Sequence, residues 1–422
     1  MKNICVLGLG YIGLPTSVML AQKGYKIIGI DTNENVINSI KNGEALILEP
    51  YLATILNELI AKESIILKST PTECDAFIVC VPTPLQSNKT CDLSCVLSAV
   101  DSIIPKIKKG DIIIIESTIP PTTTKNIIKP LLEKTGLIVG KDIYLAFCPE
   151  RVLPGNIMRE IANNSRIIGG ITNECAYRAL QIYSSFVKGE IILTDTDTAE
   201  MTKLIENVYR DVNIALSNEL TKICNKLGIN VLHAIELANK HPRVNLLNPG
   251  PGVGGHCIPI DPYFIIEKAP ELSAIISIAR ETNLSMPHFI VLKINEILKD
   301  ILKPKIAVWG IAYKGNTDDI RQSPALEIIE RLRELDYNIK IYDPVVKNKS
   351  IETSTMEESI RGADMILILA DHKEFKSLDY VKIAKQMKKP LIFDTKNIID
   401  TKYYDSEAIV IINYGNMFKL NL

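Results

Sequence analysis

The chain has 422 residues, too many for one compact core, and domains of ~100–200 residues predict two or three. Its 48 basic and 49 acidic residues are interspersed and leave a net charge of −1, which excludes a nucleic-acid stripe or a polybasic membrane anchor and makes a small molecule the expected partner. No apolar run reaches the ~18 residues of a membrane span, and residues 1–4 lead into a glycine-punctuated strand rather than a signal peptide, so a cytoplasmic protein is expected. The nine scattered cysteines read as reduced thiols, not as a disulfide framework. Cys91 and Cys95 lack a nearby His or a second pair, so no metal is expected.

Residues 2–8 read as a short buried strand, 12–23 as a helix and 26–31 as a second strand, a βαβ unit. Gly8-Leu9-Gly10-Tyr11-Ile12-Gly13 ends the strand and opens the helix. In that context the glycines give a tight turn, close approach of a pyrophosphate and strand-helix packing, with phosphate charge at the helix N-terminus. Asp31 closes the second strand, where a carboxylate accepts from ribose hydroxyls and repels a ribose phosphate; NAD is expected over NADP.

Strands at 76–81, 111–116 and 143–147 extend this into a parallel sheet with covered faces to about residue 195. Val81-Pro82-Thr83-Pro84 and Glu116-Ser117-Thr118-Ile119-Pro120-Pro121 follow two of them, at the carboxyl edge where open α/β sheets bind ligands. Either alone is explained by a structural turn; as a pair they favour cofactor contact, with Thr118 also placed to orient a water. Glu150, in Cys148-Pro149-Glu150-Arg151, follows the next strand and either positions a hydrolytic water or is simply paired with Arg151.

Apolar residues then recur at helical spacing over 198–227 and again over 272–302. Lys203 and Asn207 share a face of the first run: two donors for a developing oxyanion, or a solvated pair on a surface helix. Between the runs lies Gly250-Pro251-Gly252-Val253-Gly254-Gly255-His256-Cys257-Ile258-Pro259-Ile260-Asp261. An alcohol dehydrogenase needs no thiol, so Cys257 suggests covalent capture of a first carbonyl product and its second oxidation, alcohol to acid. His256 is either its base or a neighbour pointing elsewhere. Lys240-His241-Pro242-Arg243 is either plain surface or a site where Arg243 binds phosphate or carboxyl groups.

Strand-helix alternation resumes after Lys303-Pro304, with strands expected at 305–310, 338–343, 365–370, 391–394 and 408–412. The polar loop from Ala312-Tyr313-Lys314-Gly315 through Arg321-Gln322-Ser323-Pro324, at the exit of the first of these, reads as a binding loop. The expected fold is α/β: two Rossmann-like parallel-sheet domains, 1–197 and 303–422, joined by a central helical domain, 198–302, that carries the Cys257 loop.

In that order the motifs resemble the UDP-glucose/GDP-mannose dehydrogenase family over nearly the whole chain. The resemblance rests on the opening glycine motif, Glu116-Ser117-Thr118, Pro149-Glu150-Arg151, Lys203 with Asn207, Gly254-Gly255-His256-Cys257 with Asp261, and Tyr313-Lys314 through Arg321-Gln322-Ser323-Pro324. It implies an NAD enzyme that oxidises the primary alcohol of a UDP-sugar to a carboxylate in two steps. Cys257 is then the nucleophile, Lys203 and Asn207 stabilise the oxyanion, and Asp261, Thr118 and Glu150 handle water and protons. Glu150, Arg151, Val152, Gly254 and Lys314 are implied on the substrate side and Arg321 on the cofactor side. Arg243 is implied to reach a neighbouring subunit's substrate, hence a homodimer or larger. Two departures stand out: Thr122 replaces a common glycine, and Pro154 replaces a glutamate of the UDP-glucose enzymes, which argues against UDP-glucose. A one-step hydroxyacid dehydrogenase also places Lys and Asn four apart but leaves Cys257 and the last domain without a reason. A non-catalytic nucleotide-sugar sensor leaves Lys203, Asn207 and Cys257 without one.

Overall fold

A computed structural model describes residues 2–43, 49, 51–152, 155–348, 350–400 and 409–421. The first sheet has eight strands: β1 (Asn3–Leu7), β2 (Lys26–Ile30), β3 (Ile65–Lys68), β4 (Ala76–Val79), β5 (Ile112–Ile115), β6 (Tyr144–Phe147), β7 (Arg166–Gly170) and β8 (Ile191–Asp195). Their order is β3-β2-β1-β4-β5-β6-β7-β8. The four isoleucines of β5 show why such strands read as continuous apolar runs: Ile112 and Ile114 join one core cluster, Ile113 and Ile115 the opposite one. Side chains alternate faces and helices cover both.

The expected parallel sheet holds only through β6. Strand β7 pairs antiparallel to β6, with Phe147 opposite Gly169, and β8 runs parallel to β7. Strand direction is decided by a partner far along the chain, so no local pattern announced the reversal.

The second sheet comprises β9 (Lys305–Trp309), β10 (Asn338–Tyr342), β11 (Met365–Ile368), β12 (Leu391–Asp394) and β13 (Val410–Asn413), in the order β10-β9-β11-β12-β13. Every pairing is parallel. All five lie where the alternation predicts strands; Ala408, the expected start of the last, is outside the described residues, as is Pro154.

The helical run expected over 272–302 is two helices, Ala274–Leu284 and Met286–Leu298. Pro287 explains the break: with no N–H and a fixed φ it fits the first turn of a new helix, not the interior of a long one. Cys224, Val231, Met286 and Ile290 share an apolar cluster with Ile306 and Val308 of β9. These central helices therefore fold with the second sheet, and the chain forms two compact units, residues 1–206 with 263–270 and residues 207–262 with 271–422. The helix Thr196–Leu227 contributes to both. No described helix is long and apolar enough to cross a membrane.

The two sheets repeat one device. Gly8 after β1 and Gly310 after β9 both have left-handed φ, 91° and 83°. In each, an acid beyond the neighbouring strand reaches back to the turn: Leu9 N donates to Asp31 Oδ2 at 3.0 Å, and Ile311 N to Asp343 Oδ2 at 2.8 Å. They differ in access. Asp31 is half-exposed, whereas the Asp343 side chain is fully buried, with His372 Nε2 3.2 Å from Oδ2 and two further N–H groups, of Val345 and Val346, donating to Oδ1.

Candidate active site

In the first unit the glycine turn is built as a phosphate cradle. A Cβ on Gly8 would lie 2.5 Å from Cys80 O, and one on Gly13 only 1.9 Å from Gly8 O, whereas one on Gly10 would meet nothing within 4 Å. The first and third glycines are required by packing; the second leaves an open face. Helix Gly13–Gln22, preceded by Tyr11 and Ile12, has no side-chain cap and no acid in its first turn, so no side chain opposes an anion at the positive end of its dipole. Asp31 accepts from Leu9 N and Asn33 N, with lone pairs remaining for a ribose diol.

The two proline-bearing loops meet at the carboxyl edge. Thr83 Oγ1 donates to Thr118 O at 2.7 Å, and Ser117 Oγ to Val81 O at 2.7 Å. Beyond them Thr122 keeps the conformation of the glycine it replaces, φ 69°, which strains a β-branched residue. Glu200, fully buried, accepts from Thr124 N at 2.8 Å and secures the next turn; burial pushes its carboxyl up to about 7. Thr122→Gly is expected to raise stability by ~1 kcal/mol, read from the denaturant midpoint, and an unchanged or lower midpoint would mean that the turn carries no strain.

Glu150 is not simply paired with Arg151. Its carboxylate accepts from the backbone N–H of Arg151 at 2.8 Å and pairs with Arg166, while the Arg151 guanidinium pairs with Glu206 at 2.6 Å. Arg166 is buried and also lies 3.6 Å from Glu116, whose carboxylate accepts from Tyr183 at 2.5 Å and from the Cys80 thiol at 3.0 Å. Burial pushes Glu116 up, opposed by the Arg166 charge. Burial likewise pushes the neighbouring Cys148 thiol up to about 12. Val152 packs partly buried against the core, and Lys203 is buried on its helix.

In the second unit Asn207, also buried, bridges two charged groups: its amide donates to Asp261 and its carbonyl oxygen accepts from Arg210. Asp261 opens the helix Asp261–Ile266, and its N–H, with that of Ile260, donates to the carbonyl of Cys257. The Cys257 backbone therefore sits one helical turn before that of Asp261. Gly254 is pressed against the 312–324 loop, where a Cβ would lie 2.6 Å from Gln322 O, and Gly255 N donates to Arg321 O at 3.0 Å. His256 and Arg321 share Asp319: His256 Nδ1 is 3.5 Å and Arg321 2.6 Å from Asp319 Oδ2. The Asp319 bond first, then the Cys257 thiol, pushes the imidazole up to about 9. The Arg321 guanidinium, 3.0 Å from the same Nδ1, opposes that rise. Lys314 is exposed, and Arg243, also exposed, lies 3.5 Å from the His241 ring.

A glycine turn with an acid at the end of the neighbouring strand, on an open α/β sheet, is the build of an NAD-linked dehydrogenase. The chain belongs to the UDP-glucose/GDP-mannose dehydrogenase family, whose NAD binding domain matches residues 2–187, central domain 197–285 and UDP binding domain 307–401. It is an NAD-dependent nucleotide-sugar dehydrogenase. It is 49% identical over 424 aligned positions, 98% of this chain and 97% of the relative, to a UDP-N-acetyl-D-mannosamine dehydrogenase of Methanococcus maripaludis. Among solved structures it resembles a UDP-N-acetyl-mannosamine dehydrogenase from Staphylococcus aureus, with TM-score 0.91, 47% identity and full coverage of both chains. It also resembles a UDP-D-ManNAc dehydrogenase from Pyrococcus horikoshii, with TM-score 0.92, 44% identity, 99% of this chain and 100% of that one.

Proposed function

We propose that this protein oxidises UDP-N-acetyl-D-mannosamine to UDP-N-acetyl-D-mannosaminuronate, a precursor for surface polysaccharide, in two oxidations that consume two NAD. The observation that carries the chemistry is the Cys257 loop, with Asp261 one helical turn on and tied to the Asn207 amide. The names of the relatives support the sugar. Residues 1–197 serve the cofactor, 198–302 carry the thiol, and 303–422 take the UDP-sugar.

NAD, when bound, supplies the hydride acceptor for both oxidations. Gly8, Gly10, Tyr11, Ile12 and Gly13 would hold its pyrophosphate, Asp31 its ribose, and Val81, Thr83, Thr118 and Arg321 the rest. After the first oxidation the Cys257 sulfur bonds the aldehyde carbon, and Lys203 and Asn207 hold the resulting oxyanion. After the second, a water oriented by Thr118 and Glu150 attacks the thioester and the carbon–sulfur bond breaks, with Asp261 relaying a proton to the departing thiolate. Glu150, Arg151, Val152, Gly254 and Lys314 position the substrate.

A homodimer or larger assembly in the cytoplasm fits two features. Tyr209, Leu216 and Ile223, seven residues apart on one helix, are 53%, 47% and 44% exposed, an apolar line suited to a second copy. Arg243 is exposed, free to extend to a neighbour's substrate.

An NADH absorbance assay against a panel of UDP-sugars tests the function. Two NADH per UDP-N-acetyl-D-mannosamine are expected; oxidation of UDP-N-acetylglucosamine instead, or one NADH per sugar, would overturn the substrate or the two-step chemistry. Asp31→Ser is expected to narrow the preference for NAD over NADP by about tenfold in kcat/KM. An unchanged ratio would place the discrimination elsewhere.

A further inference from the structure

The antiparallel turn of the first sheet has a chemical result. The β6–β7 register pairs Ala146 with Gly170 and Phe147 with Gly169. Continued outward, the same register sets Glu150 opposite Arg166, the first residue of β7. A parallel β7 would have begun at the far edge of the sheet; the reversal delivers its first side chain to the carboxyl edge, where β5 leads to Glu116 and β6 to Glu150. Arg166 is 4% exposed there, between the two carboxylates. Its guanidinium lies over the Tyr183 ring, 4.7 Å from the centroid, and Tyr183 in turn donates to Glu116. A buried guanidinium fixed on three sides cannot swing, so it dictates where the carboxylate paired with it points.

We propose that Arg166 is the positioning residue for hydrolysis: seated on Glu116 and Tyr183, it aims the Glu150 carboxylate at the attacking water. The inference rests on the thioester reading above. In the step concerned, the water oxygen bonds the acyl carbon as the carbon–sulfur bond breaks. Glu150 takes one water proton, which ends on the Cys257 sulfur as thiol, and the released carboxylic acid ionises. No oxidant enters. Because this step follows both oxidations, loss of aim stalls the enzyme after two NADH have formed, with the sugar acid still attached.

Lys keeps the charge of Arg166 but not its planar fork. In stopped flow with NAD and UDP-N-acetyl-D-mannosamine, full-length Arg166→Lys is expected to release two NADH per active site in a rapid burst, then to turn over about a hundredfold more slowly than wild type. Intact-mass measurement should find the acyl adduct on the chain. Hydroxylamine, which cleaves thioesters without help from the protein, should restore turnover and yield the hydroxamate. A merely structural lesion slows the first NADH as well and is not rescued. Absence of burst, adduct and rescue in a folded Arg166→Lys overturns the assignment while wild-type stoichiometry stands. One NADH per sugar from wild type instead overturns the thioester reading itself. If Arg166→Lys fails to fold, Glu116→Gln, which loosens the same guanidinium, decides: accumulation of the adduct supports the role, and its absence overturns it.

Discussion

Cys257→Ser is expected to lower release of the uronate by about 10³-fold or more, with NAD affinity and thermal stability little changed. The selectivity of the effect follows from the local structure. The backbone carbonyl of Cys257, not its side chain, accepts from Ile260 and Asp261, so the turn that opens the next helix survives the exchange. What is lost is the sulfur nucleophile: a serine hydroxyl is far less ionised at neutral pH than a thiol. Product analysis by mass spectrometry, alongside NADH counting, checks this. Uronate formed at the wild-type rate with two NADH per sugar would remove covalent catalysis from the account.

The largest stability effect is expected in the second unit, at Asp211. Arg280 donates to Asp211 Oδ1 at 2.5 Å, and both side chains are almost wholly buried, 3% and 0% exposed. Asn283 donates to the same oxygen at 2.8 Å, Asn218 donates to Asn283, and Gly250 N donates to Asn218 at 2.9 Å. Removing the carboxylate takes a buried guanidinium's ion-pair partner and cuts a chain of amides that ends at the start of the cysteine loop. Asp211→Ala should therefore destabilise this unit by about 3–5 kcal/mol in denaturant unfolding. The double variant Asp211→Ala with Arg280→Met, which removes both charges, should recover a substantial part of the loss. If the double variant is as unstable as the single one, the penalty lies in packing rather than in the lost ion pair.

The sequence disclosed what is local. The glycine turn with Asp31, the five strands of the second sheet, and the lysine, asparagine and cysteine of the proposed chemistry all rest on spacings within a few residues or on strand-length apolar runs. What it withheld is pairing across distance. Nothing near Glu150 marks Arg166 as its partner, because the two meet only through the antiparallel pairing of β6 with β7; the obvious neighbour, Arg151, is taken by Glu206. The Asn207–Asp261 bond spans 54 residues and has no periodic trace. Pro287 was a legible stop inside the second helical run, and the apolar spacing on either side of it concealed the break. At Thr122 the residue type misleads: a threonine gives no warning of a left-handed backbone.

The sealed acid of the second sheet has its own consequence. Both sheets present a glycine turn facing a strand-end aspartate, the geometry that recognises a ribose, and a chain with two open copies would let one nucleotide wander between two addresses. In the second copy the oxygens of Asp343 are already engaged by backbone N–H groups and by His372. The acid that the first turn leaves half-exposed is, in the second, spent entirely on the protein's own N–H groups and one imidazole, so the same turn serves there as a structural clasp.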